Sequence, residues 1–184
     1  MPTNTTFKLQ SKRKNLFLRL SKGHFATSHS HINYYIDVTT QKTRLSEAKA
    51  VAQELLGYYR SNTIVDTILC LDGTEVIGTC LARELTKADF INMNAHQTIY
   101  IVTPEHTTGS QLLFRDNTMP MIAGKHVLIL AASVTTGYTA QAAVEAIKYY
   151  GGSVSGIAAL FASQDECQGY PVHAAFDLKD LPDY

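Results

Sequence analysis

Two rhythms of apolar residues run along this chain, one helical and one extended. Leu45, Ala48, Ala52, Leu55 and Tyr59 recur at helical spacing, and Val51 and Leu56 widen the stripe. They predict a helix from about Arg44 to Tyr59. Val76 to Leu85 predict a second helix, entered through the turn DGTE at 72–75. A third spans Thr139 to Tyr150, with Ala140, Ala143, Val144 and Ile147 inward and Gln141, Glu145 and Lys148 outward. Gly151 and Gly152 stop it. Residues 9–21 suggest a short basic helix.

Strands are predicted where β-branched, aromatic or unbroken apolar runs stand between turn-like residues. HINYYIDV at 31–38 and IVDTILCL at 64–71 are two such runs. Shorter ones cover 89–93, 97–102, 126–131, 153–162 and 172–176. Runs that are apolar throughout suit a parallel sheet covered on both faces. Strands alternating with helices predict a single α/β domain with a mostly parallel central sheet flanked by helices. Residues 103–124 carry no clear periodicity. A stretch that long without structure is uncommon in a compact domain and often functional.

Composition narrows the classes. The 184 residues are 45% hydrophobic, enough for one packed core. Lys plus Arg number 16 and Asp plus Glu number 16, so nothing global points to nucleic acid or to an anionic membrane. The charges are unevenly placed, however. Lys8, Lys12, Arg13, Lys14, Arg19 and Lys22 all precede Asp37, the first acidic residue. A solvated face is the expected role of this basic arm. Cys70, Cys80 and Cys167 are odd in number and widely spaced, which fits reduced thiols in a cytoplasmic protein. The polar, basic N-terminus reads as neither a signal peptide nor a membrane span.

Chemistry concentrates in HVLILAASVTTGYTA at 126–140, an apolar strand running into Thr135, Thr136, Gly137, Tyr138 and Thr139. Gly137 permits a backbone conformation that other residues resist. Successive amides in such a turn can converge on an anion, and the following helix points its positive end the same way. A phosphate monoester suits this turn. Neither GxxxxGK[ST] nor GxGxxG occurs, so triphosphatase and dinucleotide readings lose support. In an open α/β sheet the carboxyl ends of the strands carry the ligand, which puts Asp72, Gly73, Thr74 and Glu75 on the same rim.

This stretch resembles the phosphoribosyl-pyrophosphate (PRPP) motif of type I phosphoribosyltransferases: an apolar strand, two acids, two small residues, then TTG or TAG, any residue, and Thr or Ser. SHSHINYYID at 28–37 is similar to the SxYYID region of orotate phosphoribosyltransferases. GKHVLIL and VHAAFDLKDL, at 124–130 and 172–181, resemble the same branch. The resemblance implies a Rossmann-like phosphoribosyltransferase fold over residues 1–184, with a small hood from about 1–40 and 163–184. It further implies a homodimer and a phosphorylated ribose or nucleotide ligand from nucleotide metabolism, in the pyrimidine branch. Thr135 to Thr139 would hold the phosphate, Ala131, Ala132 and Ser133 would lie at the ribose, and Asp72 to Glu75 would form the pyrophosphate loop.

The departures from the family pattern matter as much. Its acidic pair, which holds the ribose hydroxyls, is here Ala131 and Ala132. Two charge-assisted hydrogen bonds contribute about 3–6 kcal/mol together if additive, or about 10²- to 10⁴-fold in affinity. The basic flexible loop of the family is here TPEHTTGSQLLFRDNTMPMIAG, whose one firm cation, Arg115, is offset by Glu105 and Asp116. His106 adds charge only when protonated. Asp72 and Glu75 bring carboxylates to a loop that should take pyrophosphate. Thr27 stands near the place of a substrate-binding Lys.

These departures together predict a phosphate-binding half-site with weak or absent transferase activity and a sensing or regulatory role. No catalytic residue and no metal site is assigned. Mg²⁺ enters only if the alternative holds, an active orotate phosphoribosyltransferase that converts PRPP and orotate to orotidine monophosphate and pyrophosphate. A second alternative is a structural or partner-binding domain with a vestigial loop.

Other residues carry bland expectations. His29 and His31 suit ordinary polar surface. Tyr34 and Tyr35 suit core and interface packing, and Tyr149 and Tyr150 suit packing on the sheet. Asp72 and Glu75 fit a helix N-terminus as well as a metal.

Overall fold

The computed structural model describes residues 5–11, 13, 16–26, 31–105 and 111–181. Its centre is a six-stranded sheet in the order β5-β4-β6-β7-β9-β8. These strands are β4 (Thr67–Cys70), β5 (Tyr100–Val102), β6 (His126–Val134), β7 (Ser153–Ala162), β8 (Glu166–Cys167) and β9 (Tyr170–Asp177). All pairings are parallel except that of the edge strand β8 with β9. Part of the C-terminal segment thus belongs to the sheet.

Side-chain alternation explains how both faces are covered. Ile68, Cys70, Leu128, Leu130, Ala158 and Leu160 point to one face, into the core shared with α2 (Leu45–Leu56) and α3 (Glu75–Leu85). Leu69, Val127, Ile129, Ala131, Ile157 and Ala159 point to the other, beneath α4 (Tyr138–Tyr149). The period of two along each strand makes this division. Because both faces are buried, Ile68 to Cys70 of β4 and the middle of β6 are apolar throughout.

The N-terminal segment corrects one expectation. Residues 9–21 are not a helix: β1 (Thr6–Gln10), β2 (Phe17–Ala26) and β3 (His31–Asp37) form a separate antiparallel sheet, β1-β2-β3. Leu16, Leu18 and Leu20 are buried, while Phe17 and Arg19 between them are exposed. That is strand alternation, and it outweighs the scattered basic residues that suggested a helical face. The three leucines and Tyr34 join the core around α2. Lys8 lies opposite Arg19 on the neighbouring strand, and Arg13 donates to the Gln53 carbonyl at the end of α2. Lys12, Lys14, Thr27, His29 and His106 lie outside the described residues.

A second correction concerns residues 89–93, which form turns instead of a strand. The Asp89 carboxylate accepts from the Ile91 amide, and the buried Asn92 amide donates to the carbonyls of Glu84 and Lys87. Polar side chains here hold the backbone bonds a strand would need, and Phe90 is 99% exposed. Tyr149 likewise leaves the sheet, with 83% of its surface open. A five-residue helix, α1 (Thr39–Thr43), links β3 to α2.

Candidate functional site

Strand order fixes where a ligand would sit. From β4 the chain crosses to β5 on one side, and from β6 to β7 on the other. The crevice between the carboxyl ends of β4 and β6 is therefore the topological switch point, where open α/β sheets bind ligands. The loop after β4 is Asp72-Gly73-Thr74, and the loop after β6 is Thr135-Thr136-Gly137. The two stretches singled out by sequence therefore face each other across one crevice.

Gly137 is the N-cap of α4 with φ 82° and ψ −4°, in the left-handed region that glycine enters most readily. Its neighbours hold the turn from behind. The Gln164 side-chain amide donates to the Thr135 carbonyl at 2.6 Å, and the Ser163 hydroxyl reaches the same oxygen at 3.3 Å. The Cys167 thiol approaches the Gly137 carbonyl at 3.7 Å. Turn carbonyls are thus engaged on the protein side. The amides of Thr135, Thr136, Gly137 and Thr139, and the three threonine hydroxyls, donate to no protein group among the described residues. Thr136, Tyr138 and Thr139 are exposed. A cluster of donors at the positive end of a twelve-residue helix is suited to an anion.

The ribose-site positions divide. Ala131 is wholly enclosed and packs in the layer beneath α4. Ala132 keeps 7% exposure, and its amide donates to the Asp72 carboxylate at 3.2 Å. Ser133 is half-buried opposite Phe161 of β7. β6 continues through all three residues to Val134, further than the expected end at residue 131.

Across the crevice, Asp72 and Gly73 both have positive φ, 57° and 75°. Thr74 is fully buried, and its hydroxyl donates to the carbonyls of Leu71 at 2.7 Å and Leu130 at 3.0 Å. Glu75 is exposed in the first turn of α3. Neither acid caps α3: Thr74 is its N-cap residue, without a side-chain cap bond. Beneath the loop, burial and the nearby Glu75 charge push the Cys70 thiol up to about 12.

Lys42, at the last turn of α1, donates to the Asp72 carbonyl at 2.9 Å. It brings a cation to a loop whose own sequence has none. Sequence spacing gave no signal for Lys42, because thirty positions separate it from Asp72. Gln164 was equally silent. Arg115, the loop cation, is spent on an exposed ion pair with Glu105. Among the described residues no three His, Cys, Asp or Glu side chains converge as a metal site. Two surface clefts lie away from the rim, about 400 Å³ outside α4 and about 310 Å³ between α2 and α3. No described helix is long and apolar enough to cross a membrane.

Solved structures share this architecture. An orotate phosphoribosyltransferase of Mycobacterium tuberculosis in complex with inorganic phosphate superposes with a TM-score of 0.58 at 17% identity, over 87% of this chain and 89% of that one. The fold is that of the type I phosphoribosyltransferases. Orotate phosphoribosyltransferase from Aeropyrum pernix shares this phosphoribosyltransferase fold at TM-score 0.58 and 18% identity, covering 87% and 88% of the two chains. Adenine phosphoribosyltransferase from Leishmania donovani does so at TM-score 0.61 and 14% identity, covering 90% and 78%. No family model and no curated protein matches the sequence. The phosphoribosyltransferase fold therefore rests on structure, at identities where sequence alone carries little.

Proposed function

We propose that this chain binds a ligand carrying a ribose 5-phosphate, a nucleotide or PRPP, with weak or no transferase activity, and acts as a sensor or regulatory subunit. The carrying observation is the 135–139 turn: open amides and hydroxyls at the start of α4, beside strand positions without the acidic pair. The M. tuberculosis neighbour, solved with inorganic phosphate, supports a phosphate guest for this fold. In this reading the chain is a cytoplasmic homodimer of the orotate-like branch, and the β1–β3 sheet forms a hood over the crevice.

A second reading, an active orotate phosphoribosyltransferase, is favoured by one observation. The Asp72 carboxylate stands at Ala132, where the family has an acid.

Thermal unfolding against PRPP with and without Mg²⁺, orotate, orotidine monophosphate, other nucleoside monophosphates and phosphate separates the readings. A ligand that binds only the folded state raises its stability with concentration. Stabilisation by monophosphates, with no Mg²⁺-dependent gain from PRPP, is the expected result. A strong Mg²⁺-dependent shift with PRPP, together with turnover of orotate, establishes the enzyme instead. No shift from any of them leaves the turn as inherited scaffold.

A further inference from the structure

We infer that Asp72 makes this site selective for ribose over 2-deoxyribose, supplying from the β4 loop a carboxylate that β6 lacks. The inference rests on the phosphate-site reading above and adds to it which sugar is accepted and through which residue.

Asp72 sits at φ 57°, a conformation that non-glycine residues seldom take outside over-determined sites. Three contacts fix it there. Its carbonyl accepts from Lys42 at 2.9 Å, its Oδ2 accepts from the Ala132 amide at 3.2 Å, and the buried Thr74 hydroxyl ties the loop to Leu71 and Leu130. The carboxylate is thereby laid against the end of β6. Ala132 is small enough to leave it unobstructed, and Ala131 is turned into the core. Oδ1 accepts no hydrogen bond from the described residues, and Asp72 is exposed. One oxygen therefore orients the group while the other is left open to a ligand.

The spacing suits a sugar phosphate. Three residues of extended chain separate Ala132 from Thr135, roughly 10 Å at the strand rise. A pentose 5-phosphate spans this when its phosphate and its ring hydroxyls each stand one hydrogen bond from the protein. A vicinal diol presents two O–H donors to an ionised carboxylate, which is an acceptor only. A 2-deoxyribose presents one fewer and forfeits a charge-assisted hydrogen bond to that carboxylate.

The test is calorimetric titration of the intact protein with ribose 5-phosphate, 2-deoxyribose 5-phosphate and inorganic phosphate. It uses the unsubstituted chain, Asp72→Gly and Asp72→Asn. Glycine removes the carboxylate yet accepts φ 57° without strain, and the Lys42 and Thr74 contacts that remain still hold the loop. Asparagine keeps the acceptor for the Ala132 amide and removes the charge. The expected result is ribose 5-phosphate binding about 10-fold or more tighter than its 2-deoxy form. That ratio should collapse toward one in Asp72→Gly and fall part-way in Asp72→Asn. Equal binding of the two sugars by the unsubstituted protein overturns the inference, as does a preference retained in Asp72→Gly. In either case continued binding of phosphate leaves the phosphate site standing. Failure of the folded protein to bind any of the three overturns the phosphate-site reading, and this inference with it.

Discussion

The buried Thr74 hydroxyl donates to the carbonyl of Leu130, joining the loop after β4 to the strand that leads into the threonine turn. The two halves of the crevice are thus coupled through this side chain as well as through Asp72. Thr74→Val keeps the shape and deletes the hydroxyl, at a cost of about 0.5–1.5 kcal/mol. Urea denaturation measures that loss. An unchanged midpoint would mean that other contacts position the loop.

Gly137→Ala should lower both stability and phosphate affinity. A Cβ there would stand 3.2 Å from the Gln164 Oε1 atom at φ 82°. The left-handed conformation costs an L-residue about 1–2 kcal/mol. Gln164 is already committed to the Thr135 carbonyl, so it has little freedom to withdraw. Denaturation midpoints and phosphate titration of the variant check both effects.

Restoring the family's acids one at a time should fail in two different ways. Ala131 is fully enclosed beneath α4, so Ala131→Asp buries an unpaired carboxyl and costs several kcal/mol, on the order of 2–7. Ala132→Asp should fold, but it sets a second carboxylate beside Asp72 and weakens anion binding. Circular-dichroism melting and phosphate titration of the two variants distinguish these outcomes.

Asp66, just before β4, accepts from the His126 amide at 2.7 Å and from its ring at 2.8 Å. Burial pushes its carboxyl up, yet these bonds outweigh it and hold the group below its ordinary value. A depressed carboxyl stabilises the fold above the unfolded value near 3.9, and that contribution is lost as pH falls through the folded value. With the Asp66 side chain 38% exposed, screening limits it to about 1 kcal/mol or less. Asp66→Asn should therefore be less stable than the unsubstituted protein at pH 7, with the difference shrinking as pH falls below the unfolded value. Urea unfolding across that pH range provides the comparison.

All three thiols are buried, and burial raises each of them. Maleimide at pH 7 should label the native protein far more slowly than the urea-unfolded chain, since the thiolate is the reactive form. Rapid native labelling would place a thiol at the surface.

The sequence made much of this arrangement readable, and for identifiable reasons. β7 and the inner face of α4 followed from an apolar run over 156–162 and from 3.6-residue spacing. The threonine turn was visible because Gly137 stands between a strand and a clean helix. What escaped was long-range or masked by competing signals. Leu16, Leu18 and Leu20 alternate, but Arg13, Arg19 and Lys22 around them obscured the strand. Residues 89–93 have strand-like composition, yet Asp89 and Asn92 bond the local backbone. Lys42 and Gln164 reach the crevice from distant elements, and no spacing rule brings them there.

The support behind the threonine turn has a consequence for how the protein is made. Ser163, Gln164 and Cys167, which hold the carbonyls of Thr135 and Gly137, follow them by about thirty positions. Chains leave the ribosome from the N-terminus, and domains form as their segments become available. The turn therefore exists as an unsupported loop until the residues beyond β7 emerge, and a chain arrested before Cys167 would carry the motif without its shape.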